Sequence, residues 1–331
     1  MRLPQFNYLE PRSLEEALDL MAVHGDDARI LAGGTDLLVR MKKGLTKPGY
    51  LISLKSMEAL SFIQKDKSAI RIGARTPLAD IIGSDLVRKE APALVQALET
   101  VGAVSIQHFR GTIGGNILQE NRCMHYNQSA FHRSGRQACH KDGGKICYSR
   151  EDADRCYSTC QSDGATALMA LNAAITLARK GGERTVDLSE FYTMDGIMPF
   201  AMESQELLTE IIVPPGNLRS AYKRLAYRSA IDFPIVNAGV VLKPSETIAD
   251  EIADARIVVG AMGRSPLFLA QASASLKGKK LGDPDAFKKA ADTAMDNAST
   301  FAVNNVGSTL AYRCAMVSPM VFQALVQAAR G

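Results

Sequence analysis

What this sequence lacks narrows its possibilities before any motif is read. No apolar stretch approaches the ~20 residues that span a bilayer, and no positively flanked apolar run opens the chain as a secretory leader would. There is no P-loop, no H-E-x-x-H, no nucleophile elbow and no evident pair of catalytic carboxylates, so the sequence offers no catalytic residue of its own. The formal net charge of +4 is too mild to argue for nucleic acid from the whole chain. Internal repeats and low-complexity tracts are missing. Tryptophan is absent too, which excludes nothing. What remains is a chain of 331 residues, 46% hydrophobic and 22% charged. We expect a soluble protein of two or three domains, cytoplasmic, with no membrane partner. In that compartment thiols stay reduced, and clustered cysteines point to metal or redox chemistry rather than disulfides.

Five of the six cysteines lie between Asn116 and Asp163. Cys123, Cys139, Cys147 and Cys156 form an open Cys-x15-Cys-x7-Cys-x8-Cys array, and Cys160 follows. The residues between them are basic and poor in aliphatics: Arg122, Arg133, Arg136, Lys141, Lys145, Arg150 and Arg155, with His125, His132 and His140. Such a segment buries too little apolar surface to offset its own ordering entropy, and four thiolates on one metal centre would hold it. Structural zinc favours paired C-x2-4-C spacing, which only Cys156 and Cys160 approach; iron–sulfur ligation tolerates uneven intervals. Spacing alone leaves zinc and a cluster both open. The basic residues read either as a solvated face or as a docking patch for a small acidic electron carrier. The histidines read as surface residues or neighbours of the ligands. Cys314, among Ala311, Tyr312, Ala315 and Met316, reads as a core residue.

The flanking sequence is element-like. A helix is expected over 12–24, with Ser13 as N-cap, Glu16 completing a capping box, and Leu14, Ala17, Leu18 and Met21 on its buried face. A strand over 28–31 runs into Ala32-Gly33-Gly34-Thr35-Asp36, then a helix over 37–43 and a strand over 50–54. A strand, a glycine turn and a helix in this order suit a diphosphate, because backbone N–H groups can approach where no Cβ intervenes. An ordinary tight turn has the same sequence. A strand pair over 61–64 and 69–73 and helices over 78–82 and 86–101 precede Phe109-Arg110-Gly111-Thr112-Ile113-Gly114-Gly115-Asn116-Ile117, a second glycine-rich turn. Beyond the cysteines come a helix over 165–171 and strands over 174–178 and 207–213. Pro214-Pro215-Gly216 then reads as a domain boundary. Strands over 221–227, 235–242 and 255–260, then helices over about 285–299 and 308–329, give the last third an α+β order.

Together, LAGGTDLL, RGTIGGNI, Ser162-Asp163 before a helix, Leu-Leu-Thr-Glu-Ile before Val213-Pro214, and Tyr-Lys-Arg at 222–224 resemble the FAD-binding subunit of the molybdenum hydroxylases. That family includes the flavin portions of xanthine dehydrogenase and carbon monoxide dehydrogenase. The resemblance implies an α+β protein: a two-part α/β FAD-binding domain of PCMH type (1–56 and 57–216) and a smaller C-terminal α+β domain (217–331) with an antiparallel sheet and helices. It implies FAD held at Ile30, Leu31, Ala32, Gly33, Gly34, Thr35, Asp36 and Leu37, and at Thr112, Gly114, Gly115 and Asn116, largely through backbone N–H groups. Gly102 and Ala103 would line the cofactor. Asp163 matches an acidic residue near the flavin, or serves only as an N-cap. Lys223 matches a basic residue reaching across from the C-terminal domain, and Leu208 is a weaker match.

The stretch from Gly-Gly-Asn to Ser-Asp is far longer than most of that family has, and the excess, about 120–161, is the cysteine loop. In this it resembles the β subunit of 4-hydroxybenzoyl-CoA reductase, whose inserted loop carries a [4Fe–4S] cluster. The likeness implies Cys123, Cys139, Cys147 and Cys156 as ligands, with Cys160 the alternative to Cys156. It further implies ferredoxin as donor, partners carrying molybdopterin and [2Fe–2S] centres, and a dimer of heterotrimers. Two other readings stand beside it. One is the flavin subunit of another xanthine-, CO- or aldehyde-oxidising molybdenum hydroxylase. The other is a zinc-stabilised module binding nucleic acid through its basic loop.

Overall fold

The computed structural model describes residues 2–215 and 218–331. Three sheets, each with its own core, succeed one another along the chain. The first is parallel and runs β1 (Asn7–Leu9), β3 (Tyr50–Ser53), β2 (Ala28–Leu31). Helix α1 (Leu14–His24) lies between β1 and β2 in sequence. Ser13 Oγ accepts the Glu16 N–H at 3.1 Å and the Glu16 carboxylate accepts the Arg12 N–H at 2.8 Å, so the capping box forms with its return bond one residue early. Ala17, Leu18 and Met21 are buried, as the periodicity requires. Helix α2 (Leu37–Lys42) follows the glycine turn and leads to β3.

The second sheet is antiparallel, in the order β4 (Ile63–Lys65), β5 (Ile70–Gly73), β8 (Leu207–Val213), β6 (Ala174–Arg179), β7 (Gly182–Asp187). With it go helices α3 (Leu78–Ile82), α4 (Asp85–Glu90), α5 (Pro92–Glu99), α6 (Ile113–Ile117), α7 (Ala130–Ser134), α8 (Asp163–Ala170) and α9 (Leu188–Phe191). The single helix expected over 86–101 is two helices. Pro92 drives Ala91 out of helical geometry (φ −140°, ψ 56°) and then takes the first position of α5. Strands β1 and β7 carry no apolar alternation, so periodicity does not mark them; β7 is an edge strand with five of its six residues exposed.

The third sheet is antiparallel, β12 (Leu267–Phe268), β11 (Ile252–Gly260), β10 (Val236–Pro244), β9 (Arg219–Leu225). On one face lie α10 (Ala270–Ala274), α11 (Pro284–Ser299) and α12 (Leu310–Arg330). Against the other face lie α5 and α8 of the preceding unit, seated closely by small residues: Ala93, Ala97 and Ala167 around Tyr222, and Gly239, where a Cβ would stand 3.0 Å from the Thr166 carbonyl oxygen. The chain passes between these units through Pro214 and Pro215; Gly216, the third member of the expected boundary, lies outside the described residues. No helix among the described residues is long and apolar enough to cross a membrane.

The largest fully buried side chain is Arg313, on α12. Burial pulls its guanidinium down to about 10, still charged at neutral pH. It donates to the carbonyl oxygens of Val303 (2.5 Å), Ala261 (2.5 Å) and Ile235 (3.4 Å), and to Asn305 Oδ1 (3.5 Å). It thereby fixes the segment before α12 onto the sheet. Substituting Met keeps an unbranched apolar stem and removes every donor, stranding several buried acceptors at about 1–3 kcal/mol each. We therefore expect Arg313→Met to lose at least about 3 kcal/mol of stability in urea-induced unfolding. Unchanged stability would show that these carbonyls find other partners.

Candidate functional site

The two glycine-rich turns meet backbone to backbone. A Cβ on Gly33 would stand 1.8 Å from the carbonyl oxygen of Arg110 and 3.0 Å from Gly111 Cα. Only glycine lets the first turn lie on the second. Gly34 has φ +72°, with Leu31 and Leu38 folded over it. The N–H groups of Gly33, Gly34, Thr35 and Asp36 find no acceptor among the described residues. A row of unsatisfied donors in a turn without side chains is what a diphosphate requires.

The second turn behaves differently from expectation. Its N–H groups are already engaged: Ile113 to Thr76 O (3.1 Å), Gly114 to Ala74 O (2.8 Å), Gly115 to Thr112 Oγ1 (3.1 Å) and Asn116 to Thr112 O (2.9 Å). This segment is a helix start capped by Thr112, so these four donors are used within the fold, while the Thr112 N–H, like those of the first turn, has no acceptor among the described residues. The Asn116 side chain accepts from Ser162 Oγ (2.8 Å) and from Gly164 N–H (3.1 Å), joining α6 to α8. Gly102 (φ +56°) and Ala103 precede a turn of π-helix (Val104–His108), and Gln107 folds back to accept the Ala103 N–H at 2.8 Å. Ile231, from the C-terminal domain, donates its N–H to Gly102 O at 2.9 Å. Val104, Ile106, Phe109, Tyr227, Ile231 and Phe233 stand exposed in these two segments.

Asp163 is neither at the surface nor an N-cap. Ser162 caps α8, its Oγ accepting from Ala165 N–H at 3.1 Å. Asp163 is buried instead against the C-terminal sheet, accepting from the Tyr222 hydroxyl and from Asn237 Nδ2 (3.1 Å), with Arg224 Nε at 3.7 Å. Burial raises its carboxyl above the ordinary range, and Arg224, Tyr222 and Asn237 only partly oppose this. Arg224 also donates to the Thr100 and Asp232 carbonyl oxygens. Sequence reading missed Tyr222, Arg224 and Asn237; the Tyr-Lys-Arg string was the available signal. Lys223, between them, is half-buried on β9 opposite Ala238. Leu208 pairs with Leu177 on the inner strand β8, and its side chain is in the core.

In the cysteine loop, Cys123, Cys139, Cys147 and Cys156 all line one small cavity of about 20 Å³, with His125, His140 and Tyr157 in its wall. Cys160 does not. It is buried in the flavin-domain core, and burial pushes its thiol up to about 12. No three His, Cys, Asp or Glu side chains among the described residues converge as ligands of a single metal ion. Ser158 N–H and hydroxyl lie 3.4 Å from Cys156 Sγ, and the Ser149 hydroxyl lies 3.5 Å from Cys123 Sγ.

Three of the loop's basic residues are bound into the protein, whereas Lys145, Arg150 and Arg155 are exposed. Lys141, with its side chain 4% exposed, bonds Glu120 (2.7 Å), Gly196 O (2.8 Å) and Asn121 O (3.2 Å). Arg133 reaches Gly44 O (3.1 Å) and Gln128 O (2.8 Å). Arg122, beside Cys123, pairs with Asp36 of the first glycine turn. From the other side Asn305 receives Met124 N–H on its carbonyl (3.0 Å) and donates to Tyr157 O (2.8 Å).

Glu120 sits between Lys141 and Arg40 (2.9 Å). Burial pushes its carboxyl up, but Lys141 and Arg40 pull it down further, and it ends below its ordinary 4.5. A carboxyl lowered in the folded state adds stability above its unfolded value and loses it as pH falls through the folded one. We expect wild-type resistance of the loop to limited proteolysis to fall as pH drops below about 4.5, and Glu120→Gln to be susceptible already at neutral pH. Identical profiles for the two proteins would remove Glu120 as the anchor.

Comparison with known proteins now bears on this geometry. Residues 4–216 match the FAD binding domain in molybdopterin dehydrogenase, and residues 220–328 match the CO dehydrogenase flavoprotein C-terminal domain. The chain is 29% identical over 325 residues to a carbon monoxide dehydrogenase medium chain of Afipia carboxidovorans, covering 98% of this chain and 96% of the other. It is 27% identical over 283 residues to a nicotinate dehydrogenase FAD-subunit of Eubacterium barkeri, covering 84% and 82%. Carbon monoxide dehydrogenase from Hydrogenophaga pseudoflava superposes with a TM-score of 0.78 at 27% identity, over 99% of this chain and 98% of that one. With both of its parts matched in order, and its first glycine turn offering free donors over a seat of backbone, the chain belongs to the FAD-binding flavoprotein subunits of the molybdenum hydroxylase family.

Proposed function

We propose that this FAD subunit is of the 4-hydroxybenzoyl-CoA reductase kind and holds a [4Fe–4S] cluster in its loop, on Cys123, Cys139, Cys147 and Cys156. The observation that carries the reading is that these four cysteines, and not Cys160, share one cavity. A single zinc ion needs all its sulfurs at one point, about 2.3 Å away. A four-iron cluster gives each sulfur its own iron, so the sulfurs need only surround a volume. Hydroxyl and amide donors near Cys123 and Cys156 suit sulfurs carrying negative charge.

FAD, when bound, supplies redox chemistry in steps of one or two electrons; the protein's share is binding, orientation and exclusion of water. The residues that fit that share are Gly33 to Asp36 as donors to the diphosphate, with Gly102, Ala103 and Lys223 beside them. Arg110 and Gly111 form the seat under the first turn, and Thr112 to Asn116 follow it as the other glycine-rich segment of the site. Asp163 braces the site from beneath through Tyr222 and Asn237. The partners under this reading are a molybdopterin-bearing large subunit and a [2Fe–2S] small subunit, in a dimer of heterotrimers, with ferredoxin as donor. The exposed apolar side chains around the cleft suit subunit contact.

A second reading has a specific observation behind it. The relatives include carbon monoxide, nicotinate and caffeine dehydrogenase subunits, which favours an oxidising complex of CO or xanthine dehydrogenase type. In that case the loop is a structural insert and NADH exchanges electrons with the flavin.

A visible spectrum of the anaerobically purified protein, with iron and acid-labile sulfide assays, separates these readings. We expect a flavin envelope over broad cluster absorbance, with about four irons per FAD. Cys139→Ser should lose the iron and keep FAD, whereas Cys160→Ser should keep both. Rapid bleaching of the flavin by NADH, with no iron present, would establish the second reading. Gly33→Ala, whose Cβ meets the Arg110 carbonyl oxygen, should be purified without flavin absorbance; full retention of FAD would remove the first turn from the site.

A further inference from the structure

A second cavity, of about 190 Å³, lies where the cysteine loop meets the C-terminal domain. Arg150, Tyr157 and Thr159 of the loop line one side, and Gly263, Arg264 and Phe301 the other. Both guanidinium groups stack on the ring of Tyr157, Arg150 at 4.9 Å and Arg264 at 4.7 Å from its centroid. Arg264 Nε and Nη1 are buried and have no acceptor among the described residues. Protein interiors seldom leave such donors unmet, and a buried guanidinium without a partner is costly.

Asp195, the carboxylate that feels Arg264, does not answer this need. It is engaged by the N–H groups of Ile197 (2.6 Å) and Met198 (2.8 Å). The lining itself holds two guanidiniums, Arg150 and Arg264, and no carboxylate.

We propose that this cavity is a binding site for a phosphoryl group, free or as a small ester. Planar guanidiniums fixed on an aromatic ring present paired N–H donors, the arrangement that recognises phosphate oxygens two at a time. The volume lies below the ~300 Å³ at which pockets for drug-sized ligands begin, so the occupant is small. Tyr157 also lines the cysteine cavity. An anion here therefore lies one aromatic ring away from the four thiols and clamps the loop to the C-terminal domain.

The test is calorimetric titration of the full-length, FAD-loaded protein with inorganic phosphate at constant ionic strength. We expect saturable binding that weakens by about tenfold or more in Arg264→Met. Arg150→Met, at an exposed position, should weaken it too and serves if Arg264→Met does not fold; unchanged flavin absorbance reports the fold. Phenyl phosphate binding more tightly than phosphate would identify an ester, using the Phe301 wall, and equal affinity would identify the free ion. No saturable heat, equal affinity in wild type and both variants, or preference for acetate over phosphate would each overturn the assignment.

Discussion

The contact on which the rest of this structure depends has no side chain in it. Gly33 lies so close to the Arg110 carbonyl oxygen that not even a methyl group fits between them. Two turns from separate sheets are thereby pressed together, and the amide donors of the first are turned away from its own protein. Other features of the site elaborate this contact. Asp36, at the end of the first turn, pairs with Arg122, the residue before the first cysteine of the loop. Asn116, at the end of the second, caps the helix that carries Asp163 into the C-terminal domain. The first glycine turn and the cysteine loop are thus joined by one ion pair.

The loop solves a problem of scarcity. With few aliphatic residues, it has almost no hydrophobic core of its own, and its order comes from cations. Lys141 and Arg133 are surrounded by carbonyl oxygens and carboxylates, and Tyr126 lies under both. Long side chains of this kind reach several elements at once, which short apolar ones cannot do. A metal centre is therefore not the loop's sole means of order.

Much of this was legible in the sequence. Strands 28–31, 50–54 and 207–213, helix 78–82 and the two long C-terminal helices are close to where apolar periodicity put them. The cysteines of the cavity were separable from Cys160 only through the family likeness, because spacing says nothing about which thiol faces a core. Three things escaped. Strand β7 has one apolar residue, Val186, and pairs at an edge, so it carries no alternation. The second glycine turn looks like a donor site in sequence, and only the positions of Ala74 and Thr76 reveal that its amides are already engaged. The buried Asp163–Tyr222–Asn237 set joins residues from two domains, a pairing that no local pattern encodes. The family match across both parts of the chain also displaces the nucleic-acid reading of the basic loop.

Arg313 holds Val303 and contacts Asn305, and Asn305 in turn grips the loop at Met124 and Tyr157. The order of synthesis gives this chain of contacts a further meaning. The cysteines leave the ribosome well before Asn305 and Arg313, so each nascent copy passes through a period when its thiols are made but their clasp is not. During that period the thiols depend on the reducing environment around them. The clasp on the loop is therefore complete only once the final helix has been made and holds the segment at 303–305.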